Sequence, residues 1–144
     1  MPFFRRSFLT SAVAAAVLIG VAGAASAQDY PTRPITAIVP FAGGSASDVV
    51  SRILFDHMSK SLGQPIVVEN RPGAGGNTGT ADAAKAAPDG YTIVGAGSGP
   101  IAANVTLYKQ LEYDPQKDLV TISPFASFTI VVVTSNKLPV NNLQ

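Results

Sequence analysis

Cysteine and tryptophan are absent from this chain of 144 residues, and histidine occurs once, as His57. Without cysteine there is no disulfide framework, so an ordinary apolar core must hold the protein together. A single histidine without cysteine leaves only an all-carboxylate metal site, and the acidic residues are spread singly along the chain. We therefore predict no metal site and no cofactor.

Charge of either sign is scarce as well. Ten Lys and Arg residues and nine Asp and Glu residues give a formal charge of +1. A chain without basic clusters lacks the electrostatic footprint of a nucleic-acid-binding protein. We therefore expect no nucleic acid among the partners.

The known catalytic patterns are also missing. No glycine-rich stretch has the Gly-x-Gly-x-x-Gly spacing of a dinucleotide site or the Gly-x-x-x-x-Gly-Lys spacing of a phosphate loop. A serine-hydrolase elbow has a glycine two residues before and another two residues after its serine, and neither Ser45 nor Ser98 has both. His57 falls in the middle of a predicted helix, where a histidine is most often a packed or surface residue. Without a nucleophile and base pair, we predict no catalytic residue and no enzyme.

The long apolar run lies at the N-terminus. Arg5-Arg6 precede an apolar and small-residue run from Ala12 to Ala25, and Ala25-Ser26-Ala27 fits a small-x-small cleavage site. The run is shorter than the roughly 20 residues of a membrane-spanning helix, although a retained N-terminal anchor is the alternative. We predict a signal peptide over residues 1–27, cleaved after Ala27 and exported by the Sec route. Because residues 5–9 resemble a twin-arginine signal, the Tat route is also open.

What remains, residues 28–144, has a formal charge of −1 and the length of one domain. Its first feature is the short apolar stretch from Ile35 to Phe41, which predicts a buried strand. Gly43-Gly44 then supply a turn, and Ser45 stands three residues before Asp48 in a capping-box pattern that predicts a helix. The N–H groups at such a helix start are unpaired and suit an anion, although any α/β domain has turns of this kind.

The predicted helix runs to Leu62, ends at Gly63, and has one apolar side: Val49, Val50, Ile53, Leu54, Met58 and Leu62. Two similar units follow. The second has a strand at Ile66–Val68, a glycine loop at 71–77 and a helix over Thr78–Ala87 that Asn77 could cap. The third has a strand at Tyr91–Val94, a glycine loop at 95–100 and a helix over Ile101–Leu111. The apolar run Phe128–Thr134 predicts a further strand, buried on both faces.

This alternation predicts an α/β fold with an open, mostly parallel sheet and helices on both faces. In such a sheet the three glycine loops lie along the carboxyl edge, where ligands bind. Main-chain amides and the neutral side chains of Ser45, Ser47, Asn77, Thr78 and Ser98 would then supply the hydrogen bonds. The first and third loops contain no arginine, which suits a reversibly held carboxylate better than a tightly bound phosphate.

Several stretches are similar to one known family. Residues 30–35, 39–48, 62–77, 84–92 and 113–119 resemble the Bug-type extracytoplasmic solute receptors, the substrate-binding subunits of tripartite tricarboxylate transporters. The most specific match is Glu-Asn-Arg-Pro-Gly-Ala-Gly-Gly-Asn at 69–77. Ala42 departs from the pattern, since the family often has proline there.

The resemblance implies a periplasmic receptor with a two-lobed fold, the periplasmic-binding-protein type II fold. It closes on a small mono-, di- or tricarboxylate and delivers it to a membrane permease. Residues 28–144 would form the first lobe, with the second absent or truncated. The implied ligand-binding residues are Gly43, Gly44, Ser45, Ala46 and Ser47, with Gly76, Asn77, Thr78, Ser98 and Gly99 as neighbours. The alternatives are a truncated receptor fragment that does not transport and a small exported enzyme.

Overall fold

A computed structural model of the protein describes residues 29–135 and 137–138. The chain divides into two units, Met1–Thr32 and Arg33–Gln144, and only residues 29–32 of the first are described. The predicted signal peptide and its cleavage site lie outside the described residues. Across the part that is described, no helix has the length and apolar character needed to span a membrane.

Three strands form a parallel sheet in the order β2-β1-β3. They are β1 (Ile35–Val39), β2 (Ile66–Asn70) and β3 (Thr92–Val94). The central strand β1 is the most buried, because it has a neighbour on each side. It ends at Val39, because Pro40 has no N–H to continue the ladder. The predicted parallel α/β sheet is confirmed.

Helix α1 (Ala46–Leu62) connects β1 to β2, and helix α2 (Asn77–Ala84), which follows a 3₁₀ turn at Ala74–Gly76, connects β2 to β3. After β3 a π-helical turn at Gly99–Ala103 runs into the short helix α3 (Asn104–Leu107). The two crossovers run in opposite directions across the sheet. Because such connections are right-handed, α1 and α2 lie on opposite faces.

The core joins β1 to α1. Ala37 and Val39 pack against Phe55 of α1, and partly buried residues of β2 and β3 surround them. The inward side of α1 is formed by Asp48, Ser51 and Phe55. Val49 and Ile53, which sequence periodicity assigned to the apolar side, are 48% and 59% exposed. The packed face of α1 is therefore rotated from the predicted one.

Several predicted boundaries are wrong by a few residues. Strand β2 extends to Asn70, α2 ends at Ala84, and the last helix stops at Leu107. The predicted cap is also different, because Gly76 occupies the N-cap position of α2 and Asn77 is its first residue. The Asn77 side chain makes no capping hydrogen bond, because its oxygen is engaged elsewhere.

The strand predicted over Phe128–Thr134 is wrong in this structure. Residues 128–134 have no regular secondary structure, and Ile130 to Val133 are between 69% and 91% exposed. A buried parallel strand needs a hydrogen-bonding neighbour and cover on both faces. The described residues provide neither for this run.

Candidate functional site

Three loops follow the carboxyl ends of the three strands and meet at one edge of the sheet. We call residues 40–45 the first loop, 71–76 the second loop and 95–98 the third loop. The ring of Phe41 lies among them: a Cβ atom built on Gly76 would be 3.3 Å from it, and one on Gly97 would be 3.8 Å away. This confirms the prediction that the three glycine loops lie together at the carboxyl edge of the sheet.

The first loop turns directly into α1. Ser45 has extended backbone angles and its Oγ accepts a hydrogen bond from the Asp48 amide at 3.3 Å. In return, Asp48 Oδ2 accepts from the amide of Gly44 at 2.8 Å, where Gly44 has a φ of +81°. This is a capping box shifted by one residue, since the carboxylate reaches the amide before Ser45. Asp48 therefore caps the helix, as the sequence predicted.

Asp48 is buried, and its other oxygen has two partners. Oδ1 lies 2.9 Å from Arg52 Nε and 2.8 Å from Asn70 Nδ2. The hydrogen bonds from Arg52, Gly44 and Asn70 lower the pKa of Asp48 to about 2. The carboxylate is thus ionised at neutral pH, paired with a guanidinium, and placed at the positive end of α1.

The start of α1 also has amides that the protein itself does not use. Ser45 N donates to Ala42 O at 3.1 Å, and the Gly44 amide is bound by Asp48. Within residues 29–135, the hydrogen bonds account for neither the Ala46 amide nor the Ser47 amide. The first two helical N–H groups are therefore available to an external acceptor. Of the predicted first-loop residues, Gly44 and Ser45 have amides that are already engaged within the protein.

The second loop contains four consecutive residues with positive φ, Gly73, Ala74, Gly75 and Gly76. Gly76 is required for space as well as conformation, because a Cβ there would come within 2.6 Å of Pro100. Arg71, at the start of this loop, is bound to Glu69 at 2.7 Å and Asp82 at 2.9 Å. Its charge is therefore committed to ion pairs within the lobe.

Asn77 is buried and its side chain points into a polar network. Its Oδ1 accepts from Asn104 Nδ2 at 2.6 Å and from the Tyr113 hydroxyl at 3.1 Å. Tyr113 also lies 2.8 Å from Pro100 O, and burial raises the pKa of its hydroxyl. Asn104 reaches back to Gly75 O at 3.3 Å. The network connects the second loop to the segment after the third loop, and it uses the Asn77 oxygen internally.

The remaining predicted residues occupy different surroundings. Thr78 is exposed, and its hydroxyl is beside Gly73. Ser98 is exposed immediately before the π-helical turn that Gly99 begins, and Gly99 lies close to Asn104 and Gly75 O. The structure thus brings Gly43–Ser47, Gly76 and the third loop to one edge, with Thr78 beside Gly73. Sequence reasoning did not find Asn70, Asn104 or Tyr113, whose partners are distant in the sequence. It also missed Arg52, although its position four residues after Asp48 on the same helix was a usable signal.

Beneath the third loop lies a buried hydroxyl. Ser51 Oγ has no hydrogen-bond partner in the described part of the chain, and a Cβ built on Gly95 would approach it to 2.9 Å. The Gly95 amide donates to Ile38 O at 2.8 Å. Small residues at 51 and 95 therefore let the third loop pack directly on α1.

No group of three or more His, Cys, Asp or Glu side chains that could hold a metal occurs among residues 29–135 and 137–138. His57 is exposed on α1, away from the loops that follow the strands.

Comparison of the sequence with known protein families assigns the chain to one of them. A family model described as the tripartite tricarboxylate transporter family receptor, TctC, matches residues 50–144. The chain belongs to this receptor family. Because its members are solute-binding receptors, the prediction that the chain is not an enzyme is confirmed.

Individual relatives agree with this assignment. BugT of Bordetella pertussis (strain Tohama I) is 44% identical over 126 residues, which cover 87% of this chain and 39% of BugT. MatC from Rhodopseudomonas palustris, solved with bound malate, superposes with a TM-score of 0.59 and 46% identity over 62% of this chain and 30% of MatC. R. palustris Rpa4515, solved with adipate, superposes with a TM-score of 0.57 and 38% identity, covering 60% of this chain and 29% of that protein.

These findings confirm the resemblance to Bug-type receptors and the predicted fold class. The described sheet and helices correspond to one α/β lobe of such a periplasmic binding protein. The chain spans well under half the length of the relatives that it matches.

Proposed function

We propose that residues 28–144 form the first lobe of a two-lobed periplasmic receptor that binds a small carboxylate. The observation that supports this most directly is the meeting of three glycine loops around Phe41, beside a helix start with two open amides. The relatives MatC and Rpa4515 were solved with malate and adipate, which are both dicarboxylates. A dicarboxylate is therefore the ligand class that we favour among mono-, di- and tricarboxylates.

One carboxylate group of the ligand accepts hydrogen bonds from the amides of Ala46 and Ser47 in this proposal. The hydroxyls of Ser45 and Ser47 add neutral donors, and Gly43 leaves room for close approach. The helix start contributes on the order of 0.3–1 kcal/mol to the binding of an anion. Because the Asp48 charge is balanced by Arg52 at 2.9 Å, it opposes the ligand less than a free carboxylate would.

The remaining neighbours of the site are Gly76, Asn77, Thr78, Ser98 and Gly99. In the proposed complex, Gly76 and Gly99 allow main-chain approach, while Thr78 and Ser98 offer exposed hydroxyls. Asn77 acts mainly through its network with Asn104, which supports the second loop.

The receptor would act in the periplasm and pass its ligand to the permease subunits of a tripartite transporter in the membrane. Membership in this receptor family supports the periplasmic location. The signal peptide at residues 1–27, cleaved after Ala27 and exported by Sec or Tat, is part of the same proposal.

A titration of the ¹⁵N-labelled protein with malate and with adipate tests the proposal by NMR. We expect saturable shifts at the amides of residues 43–47 and 97–99, with little change along the helix around His57. A titration with sodium chloride at matched ionic strength serves as the control. If both dicarboxylates leave the first-loop amides unshifted while the spectrum remains that of a folded protein, the carboxylate assignment is wrong.

One observation favours a second candidate, a receptor fragment that does not transport. The apolar run from Ile130 to Val133 is exposed, as such a fragment predicts. Strong binding of a hydrophobic dye by this chain, without any response to the dicarboxylates, would support this second candidate over the first.

A further inference from the structure

Asn70, the last residue of β2, joins the strand to both ends of the first loop. Its Nδ2 lies 3.1 Å from the Phe41 carbonyl oxygen and 2.8 Å from Asp48 Oδ1. Its Oδ1 accepts a hydrogen bond from Arg52 Nη2 at 2.9 Å. A single side-chain amide thus binds Phe41, near the start of the loop, and Asp48, in the first turn of the helix that follows it.

The loop also passes closely over this amide. A Cβ atom built on Gly43 would lie 3.5 Å from Asn70 Oδ1, at ordinary van der Waals distance. Asp48, which Asn70 orients through one carboxylate oxygen, uses the other to bind the Gly44 amide at 2.8 Å. The Gly44 N–H is therefore directed towards Asp48, while the amides of Ala46 and Ser47 keep no partner among the described residues.

We propose that Asn70 is a positioning residue for ligand binding. By donating to Phe41 O and Asp48 Oδ1, it holds the first loop in the shape that keeps the Ala46 and Ser47 amides open. This inference rests on the proposed function, since the open amides matter only if they bind a carboxylate. Asn70 itself makes its contacts with the protein and acts on the ligand through Asp48 and the loop.

The chemistry of the cluster makes asparagine the fitting residue at position 70. Aspartate has the same shape and could still accept from Arg52, but it cannot donate to Phe41 or Asp48. It would also place a second carboxylate against Asp48, where like charges repel. Asn70→Asp therefore removes the hydrogen bonds to Phe41 and Asp48 and keeps the side-chain volume. Asn70→Ala removes all three hydrogen bonds of the side chain.

The first experiment compares dissociation constants for malate and adipate in the full chain and its variants. We expect Asn70→Asp and Asn70→Ala to bind about tenfold more weakly, which corresponds to the loss of one good hydrogen bond. Val68→Ala on the same strand is the matched control, because Val68 packs on the core and has no part in the cluster. It should lower the thermal midpoint and change the dissociation constant less than about twofold.

The second experiment needs no ligand. Amide hydrogen exchange at Gly44 should accelerate about tenfold in both Asn70 variants, because Asp48 loses the partner that orients it. The pKa of Asp48, followed through the Gly44 amide shift, should rise in Asn70→Ala since a hydrogen bond to the carboxylate is lost. Val68→Ala should leave both the Gly44 exchange, corrected for global unfolding, and this pKa unchanged.

The two experiments separate this inference from the proposed function. If the unmodified protein binds neither dicarboxylate, the proposed function fails, and Gly44 exchange alone then decides whether Asn70 holds the loop. Unchanged Gly44 exchange in both Asn70 variants overturns the inference. Where the unmodified protein does bind, unchanged dissociation constants in folded Asn70 variants overturn it as well.

Discussion

Asn104 Nδ2 lies 2.6 Å from Asn77 Oδ1, and both side chains are buried. This contact joins the first residue of α2 to the helix that follows the third loop. Because Asn104 also donates to Gly75 O, the second loop is held from the side of α3. The family resemblance placed Asn77 beside the ligand, and the structure gives its oxygen a supporting role in the same region.

Asn77→Ala should destabilise the lobe. The substitution leaves one buried N–H of the Asn104 amide without its acceptor, at a cost of about 1–3 kcal/mol, whereas the Tyr113 hydroxyl keeps Pro100 O. Urea unfolding of the full chain measures the effect. The exposed neighbour Thr78→Ala is the control and should change stability by less than about 0.5 kcal/mol. Equal stability of the two variants would mean that the Asn77–Asn104 contact contributes nothing.

Ala46→Pro should weaken carboxylate binding and leave the fold intact. Proline at the first helical position removes the N–H without breaking a helical hydrogen bond, and Ser45 already has the extended angles that a residue before proline prefers. Loss of a charge-assisted donor should raise the dissociation constant for malate about tenfold or more. Ala46→Ser retains the amide and should bind like the unmodified protein. If both variants bind alike, the Ala46 amide does not contact the ligand.

Gly76→Ala should be strongly destabilising, whereas Gly97→Ala should be tolerated. Gly76 has a φ of +95°, and a Cβ there would lie 2.6 Å from Pro100. A Cβ on Gly97 would meet only the Phe41 ring, at 3.8 Å. The strained position should cost about 1–3 kcal/mol or more in the free energy of unfolding. Thermal unfolding of the two variants checks this, and a tolerated Gly76→Ala would contradict the loop geometry.

Acid should remove the contribution of Asp48 to stability. Its pKa falls from an ordinary value of 3.8 to about 2 in the folded protein, because Arg52, Gly44 and Asn70 bind the ionised form. The folded state therefore binds the proton less readily than the unfolded state. The resulting stabilisation is complete above pH 3.8 and is lost as the pH falls through about 2.

Urea unfolding of the protein and of Asp48→Asn at pH 5 and pH 2 tests this expectation. The difference in unfolding free energy between the two proteins should be large at pH 5 and should shrink at pH 2. A difference that stays constant between these pH values would show that the Asp48 charge is not what stabilises the turn.

The sequence alone was sufficient for the first loop and for the class of fold. Ser45 and Asp48 are three residues apart and cap the same turn, so their interaction is visible in a short pattern. The alternation of apolar stretches, glycine turns and helical segments likewise predicted a parallel sheet with loops at its carboxyl edge. These signals are local, because hydrogen bonds within a turn and periodic burial act over a few residues.

Only the tertiary structure decided which distant groups meet. Arg52 and Asn70 are 18 residues apart and Asn77 and Tyr113 are 36 apart, and no short pattern connects them. The buried side of α1 also depends on tertiary contacts, since Asp48 and Ser51 are buried while Val49 and Ile53 are exposed. The physical reason is the strand order β2-β1-β3, which brings the ends of three separate strands to one edge. Polar groups near those ends can then form hydrogen bonds with one another, and these hydrogen bonds determine the shape of the site.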